Sequence, residues 1–149
     1  MDLSTLSDHI YQSMFYQGLI FSSLGLLLRG IVAPGEDGIS RGIGLNNYLC
    51  DRFPAYATYA PAVAHFLVHY GGTLVLGSKG NFVVGGIDLA SSNLMLPFLY
   101  GAVAMWAMGA YEIGHDLYHG KTTKSDILQW CADFAGPALA LVVARTLLY

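Results

Sequence analysis

Residues 109–136 read Gly109-Ala-Tyr-Glu112-Ile-Gly-His115-Asp116-Leu-Tyr-His119-Gly120-Lys121-Thr-Thr-Lys124-Ser-Asp126-Ile-Leu-Gln129-Trp-Cys-Ala-Asp133-Phe-Ala-Gly136. Two helical patterns meet here at a short polar turn. Glu112, His115, Asp116 and His119 fall at i, i+3, i+4 and i+7, so they share one helix face. Asp126, Gln129 and Asp133 do the same at i, i+3 and i+7 on the next helix. Gly120 is placed to end the first helix and Ser125 to cap the second, with Asp126 at its positive end. A turn this tight makes the two helices antiparallel neighbours whose polar faces can meet.

Outward from this stretch the sequence is apolar. The chain has 149 residues, 54% hydrophobic and 11% charged, where a soluble domain carries roughly 25% charged residues. The long apolar runs and the shortage of charge predict an all-α, polytopic membrane bundle. About four transmembrane helices fit in one domain covering residues 1–149. The predicted spans are residues 11–33, 55–76, 93–119 and 126–148. Arg29 lies near the end of the first and can snorkel to the interface. Pro34-Gly35 then breaks the helix. Residues 35–53 form a Gly-rich connector with room for a short interfacial helix at residues 45–50. Residues 77–92, with Asn81-Phe-Val-Val-Gly-Gly, read as a loop or a short hairpin.

With four spans, Arg29, Arg41, Arg52, Lys121 and Lys124 fall on one side, against Lys79 and Arg145 on the other. The positive-inside rule places the loops 35–53 and 120–125 in the cytoplasm and both termini outside, as for a protein of the bacterial inner membrane. The first dozen residues hold no Lys or Arg, so no cleavable signal is expected and the first apolar run should stay as a membrane helix. A net charge of −3 argues against a nucleic-acid partner. Cys50 and Cys131 have no metal-ligand spacing and read as free thiols.

Ionisable side chains at membrane depth are costly and are functional candidates by default. His65 and His69, at i and i+4 in the second span, join Glu112, His115, Asp116 and Asp133 in that class. By rise per residue, His65 reaches the floor of a cavity between the third and fourth spans, and His69 sits one turn deeper. His119 and Asp126 read as solvated helix ends.

Three chemistries compete for this set. His65, His69, Glu112, His115 and Asp116 are ligand types for a transition-metal ion such as zinc or iron. Glu112-Ile-Gly-His115 also has the Glu-x-x-His spacing used in bundle metal clusters. A di-iron site would need a second such motif, and bis-histidine haem would need His65 and His115 at one depth, which they are not. Glu112, His115 and Asp133 could instead carry proton chemistry as base, relay and orienter. The plainest reading is helix-to-helix hydrogen bonding.

The motif Glu112-Ile-Gly-His115, then Lys121, then Asp126-x6-Asp133-x2-Gly136 resembles the C-terminal signature of VanZ-like membrane proteins over about a quarter of the chain. His115 stands where that family usually has Gln, Lys121 where it has Arg, and Asp133 where it has Asn. A wider set of small envelope proteins has a similar Asp…Asp-x-x-Gly ending. The resemblance implies a small polytopic envelope protein with Glu112, Asp126 and Asp133 as motif positions. VanZ-like members are linked to glycopeptide resistance, and no defined reaction follows from that.

Together these readings predict a membrane protein with a polar cavity near the cytoplasmic face that binds a metal ion or a lipid head group. The alternative is a non-enzymatic subunit of a larger membrane complex or a homo-oligomer. Gly18, Gly25, Ala102 and Gly109 would then pack against neighbouring helices. A phage or prophage envelope factor is compatible with the same composition.

Overall fold

The computed structural model describes residues 3–32, 52–78, 83–84, 87–88 and 94–149. Four helices lie among them: α1 (Leu3–Val32), α2 (Pro54–Ser78), α3 (Leu96–Tyr118) and α4 (Lys124–Leu148). Two short strands, β1 (Val83–Val84) and β2 (Ile87–Asp88), pair antiparallel between α2 and α3, with Val83 opposite Asp88 and Val84 opposite Ile87. The hairpin reading of that segment is thus correct at its centre. Most of the connector at residues 35–53, its suggested interfacial helix, Cys50 and Lys79 lie outside the described residues. Helix α1 starts eight residues before the predicted span, at Leu3 rather than residue 11. The helices are otherwise close to the predicted spans.

The α3–α4 turn is built from local hydrogen bonds. Gly120 adopts φ +71°, the left-handed conformation that glycine takes without steric cost. Lys121 N–H donates to the Asp116 carbonyl and Gly120 N–H to that of Leu117, the paired bonds of a Schellman ending. The next helix begins earlier than predicted. Thr123, not Ser125, is its N-cap, and it forms a capping box with Asp126. Thr123 wins because its hydroxyl meets the Asp126 N–H while the Asp126 carboxylate accepts from Thr123 N–H at 2.7 Å, which satisfies two otherwise unpaired donors. Ser125 is left to donate to the Thr58 carbonyl on α2.

Helix α2 is the centre of the bundle, packed against α1, α3 and α4. It runs antiparallel to α1 through contacts of backbone on backbone. A Cβ on Gly18 would lie 2.7 Å from the Gly71 carbonyl, and one on Gly25 would lie 2.8 Å from that of Ala64. Gly18 to Gly25 is seven residues, as is Ala64 to Gly71, so the small residues recur with a heptad step along the seam. Gly136 lets α4 approach the α2 backbone at Phe66 and Tyr70 in the same way. Gly18, Gly25 and Gly109, suggested above as contacts to other subunits, are used within the chain.

The interior has two halves. Met14, Tyr70, Leu74, Phe98, Ala140 and Ala144 form an apolar core at the end where α1 begins. The other half is filled by His65, His69, Asp133 and small residues. Large apolar side chains point outward instead: Ile20, Leu24, Leu27, Val63, Val103, Met108, Phe134 and Val142 are all exposed. Among the described residues one helix, α4, is long and apolar enough to cross a membrane by length and composition. The polar residues His65 and His69 on α2 and Glu112, His115 and Asp116 on α3 lower the hydropathy of those helices.

Gly71→Leu should destabilise the fold by about 1–3 kcal/mol, because the new side chain meets the backbone of Gly18 and Ser22. Gly114→Ala, whose Cβ meets nothing within 4 Å, should stabilise by up to about 1 kcal/mol through helix propensity. Thermal unfolding of both variants under one set of conditions checks the pair.

A candidate metal centre between three helices

Three helices each deliver part of the site. Helix α2 brings His65 and His69, one turn apart on the face turned toward α4. Helix α4 brings Asp133, three residues before Gly136. Helix α3 brings Glu112, three residues after Gly109. Gly109 sets the approach of α3, since a Cβ there would stand 2.9 Å from Asp133 Cβ and 3.5 Å from the His69 ring. The Trp106 indole N–H donates to the Phe134 carbonyl at 3.1 Å and fixes α3 against α4 beside the site.

Asp133 is fully enclosed. A carboxylate taken out of water needs compensation by hydrogen bonds or opposite charge. His65 Nδ1 stands 2.8 Å from Asp133 Oδ1, and His69 Nε2 stands 3.3 Å from the same oxygen. His65 Nδ1 is also 3.3 Å from Glu112 Oε2. The other Glu112 oxygen lies 3.6 Å from the Arg29 guanidinium of α1. An ionised carboxylate only accepts, so whenever Asp133 is charged the donor of the 2.8 Å bond is the His65 ring. Asp133 Oδ2 and His69 Nδ1 are buried with no protein partner.

Pro137 adds a local peculiarity. It has no N–H to donate to the carbonyl four residues back, which is that of Asp133. Pro137 thereby frees the backbone acceptor beside the site.

One ligand atom from each of His65, His69, Glu112 and Asp133 lies within 4.8 Å of the other three. Tetrahedral zinc with bonds of about 2.0–2.1 Å places its ligands ~3.3 Å apart; three of the separations here are 2.8, 3.3 and 3.3 Å, and the four ligand atoms all lie within 4.8 Å of one another. The donor set fits the ion: two imidazoles and two carboxylates, without thiolate, suit zinc, iron or manganese.

The cavity read from the sequence joins Glu112, Asp133 and His65 as expected. His69 belongs to it fully. His115 and Asp116 lie outside the four-residue group. His115 is half-exposed and 3.8 Å from Asp116, and the second Asp116 oxygen accepts from the Trp130 indole at 3.2 Å. The Glu-x-x-His spacing thus sends its two members to different places, because His115 is about 4.5 Å nearer the helix end than Glu112. Asp126 serves the α4 cap, His119 is an exposed helix end, and Cys131 is a free, exposed thiol. Arg29, expected only to snorkel, is the residue that sequence reasoning missed. Its signal was a lone cation one turn from the end of an apolar helix.

No protein-family model, curated protein or solved structure matches this chain.

Asp133→Ala should cost about 3–5 kcal/mol, as expected when one partner of a buried ionic set is removed. Asp116→Ala should cost about 1 kcal/mol or less, the worth of one ordinary hydrogen bond. Denaturant titration followed by helical circular dichroism compares the two.

Proposed function

We propose that this chain is a small integral membrane protein whose buried His65–His69–Glu112–Asp133 cluster binds one zinc or iron ion. The observation that carries the reading is the convergence of four ligand atoms from three helices within 4.8 Å. The two buried, unpartnered atoms, Asp133 Oδ2 and His69 Nδ1, support it, since either can complete or orient a coordination shell. When bound, the ion would supply Lewis acidity at the site. The chain's own residues hold the geometry: Asp133 is fixed between two rings, and Arg29 steadies Glu112 at the more open edge.

Membrane placement rests on the distribution of side chains. Large apolar residues point outward on all four helices while small and polar residues fill the half of the interior around the cluster, the arrangement that lipid favours and water does not. All four helices spanning a bacterial inner membrane, with residues 120–125 in the cytoplasm, accounts for this and for the charge bias. Arg29, Lys121 and Lys124 would then face anionic lipid head groups. A VanZ-like envelope role accords with two of its motif positions, Glu112 and Asp133, lying in the cluster.

A second reading has its own observation. Glu112, His65, Asp133 and His69 form an unbroken series of contacts of 3.3, 2.8 and 3.3 Å from the partly exposed Glu112 to the interior, with Arg29 holding the other Glu112 oxygen at 3.6 Å. Such a series can pass a proton without metal.

Elemental analysis of protein purified without a metal-affinity column decides between them. One zinc or iron per chain is expected, lost in His65→Ala and His69→Ala at unchanged helix content. A metal-free wild type that also fails to take up cobalt(II) would overturn the metal reading in favour of the relay. For topology, Cys50 and Cys131 are replaced by Ser and a cysteine is placed at Lys121. It should react with a membrane-impermeant thiol reagent only after the cytoplasmic face is opened, and labelling in intact cells would refute the orientation.

A further inference from the structure

The last turn of α3 carries a second group of ligating side chains that the buried cluster does not use. His115 and His119 are four residues apart, and their ring centroids are 4.4 Å apart at an interplanar angle of 52°. Both residues are exposed. An ion held by two imidazoles at about 2.1 Å sets the ring centroids about 5.3 Å apart at the tetrahedral angle of zinc and about 4.6 Å apart at an octahedral angle. The pair therefore stands close to a chelating geometry.

A second observation concerns Asp116. The Trp130 indole binds its Oδ2 at 3.2 Å, which turns Oδ1 toward His115 Nδ1 at 3.8 Å. A carboxylate behind one ring nitrogen is the usual support of a metal-bound imidazole. Closing this 3.8 Å gap on metal binding would hold a proton on Nδ1 and leave Nε2 as the ligand. On the sequence face, Glu112, His115, Asp116 and His119 fall within one arc of α3. His115 is the next ligand type outward from Glu112.

We propose that His115 and His119 form a solvent-facing site for a divalent transition-metal ion, one that captures the ion and passes it inward to the buried cluster through Glu112. The capture site stands by itself, and the transfer rests on the metal reading of the buried site. His115 supplies Nε2 with Asp116 behind it, His119 supplies a second nitrogen, and water fills the remaining positions. Glu112, held by Arg29 at the open edge of the cluster, is the first buried ligand that an incoming ion would meet.

The test uses full-length protein in detergent, stripped of metal and titrated with zinc chloride against a chromophoric chelator, with uptake also followed by stopped flow. Wild type should bind two equivalents. His119→Ala should bind one and should fill the buried site severalfold more slowly, while His65→Ala should lose only the buried equivalent. If wild type binds a single equivalent that His119→Ala removes and His65→Ala does not, the surface site stands and the buried reading fails. If His119→Ala and the His115→Ala/His119→Ala double variant keep full stoichiometry, the surface site is refuted. Loss of one equivalent with an unchanged filling rate would refute the transfer. His119 is exposed at the end of its helix, so these variants should keep wild-type helix content, and circular dichroism checks that they do.

Discussion

The Asp133 carboxylate, enclosed between two imidazoles, is the constraint on which the polar half of the molecule depends. A charge in that position must be met by partners at short range. Those partners come from α2 and, through His65, from Glu112 on α3 and Arg29 on α1. All four helices are therefore tied to one carboxylate, α2 directly, α3 through His65, and α1 through Glu112 and His65. The opposite half needs no such device, because Phe98, Leu74 and Met14 fill it by ordinary packing.

Close approach of the helices makes the cluster possible. Glycines at 18, 25, 71, 109 and 136 stand where a Cβ would meet a neighbouring helix within 3 Å. Side chains as short as aspartate can then reach across the interface. With larger residues in these seams, the helix axes would move apart and the ligand atoms with them. The small residues thus set the reach of the polar ones, and the two features belong to one arrangement.

Much of this was legible in the sequence. Helix periodicity and the Lys121–Lys124 turn gave the antiparallel α3–α4 pair, and isolated ionisable residues in apolar runs marked Glu112, Asp133 and His65. Spacing alone, however, reports a shared face and not a shared depth. His115 and Asp116 lie on the arc of Glu112 yet fall a turn closer to the helix end, where Trp130 and solvent take them. His69 looked too deep because its partner was judged from helix ends, whereas the contact of Gly136 with the backbone of α2 brings Asp133 level with it. Arg29 was hidden for a related reason. Its role depends on how α1 packs against α2, and that follows from a glycine seam with no charge signal. Ser125 lost the cap to Thr123 because only Thr123 has a carboxylate three residues on.

The order of the elements along the chain has a consequence for biogenesis. The two histidines of α2 are made before the carboxylate of α4, and a neutral imidazole can wait in an apolar setting at far lower cost than an ion. Asp133 arrives last, on the one described helix long and apolar enough to cross a membrane, and meets the ring nitrogens of His65 and His69 already in place. Synthesis in the reverse order would leave a bare anion in a half-built bundle. The chain thus defers its most expensive burial until the final helix is made.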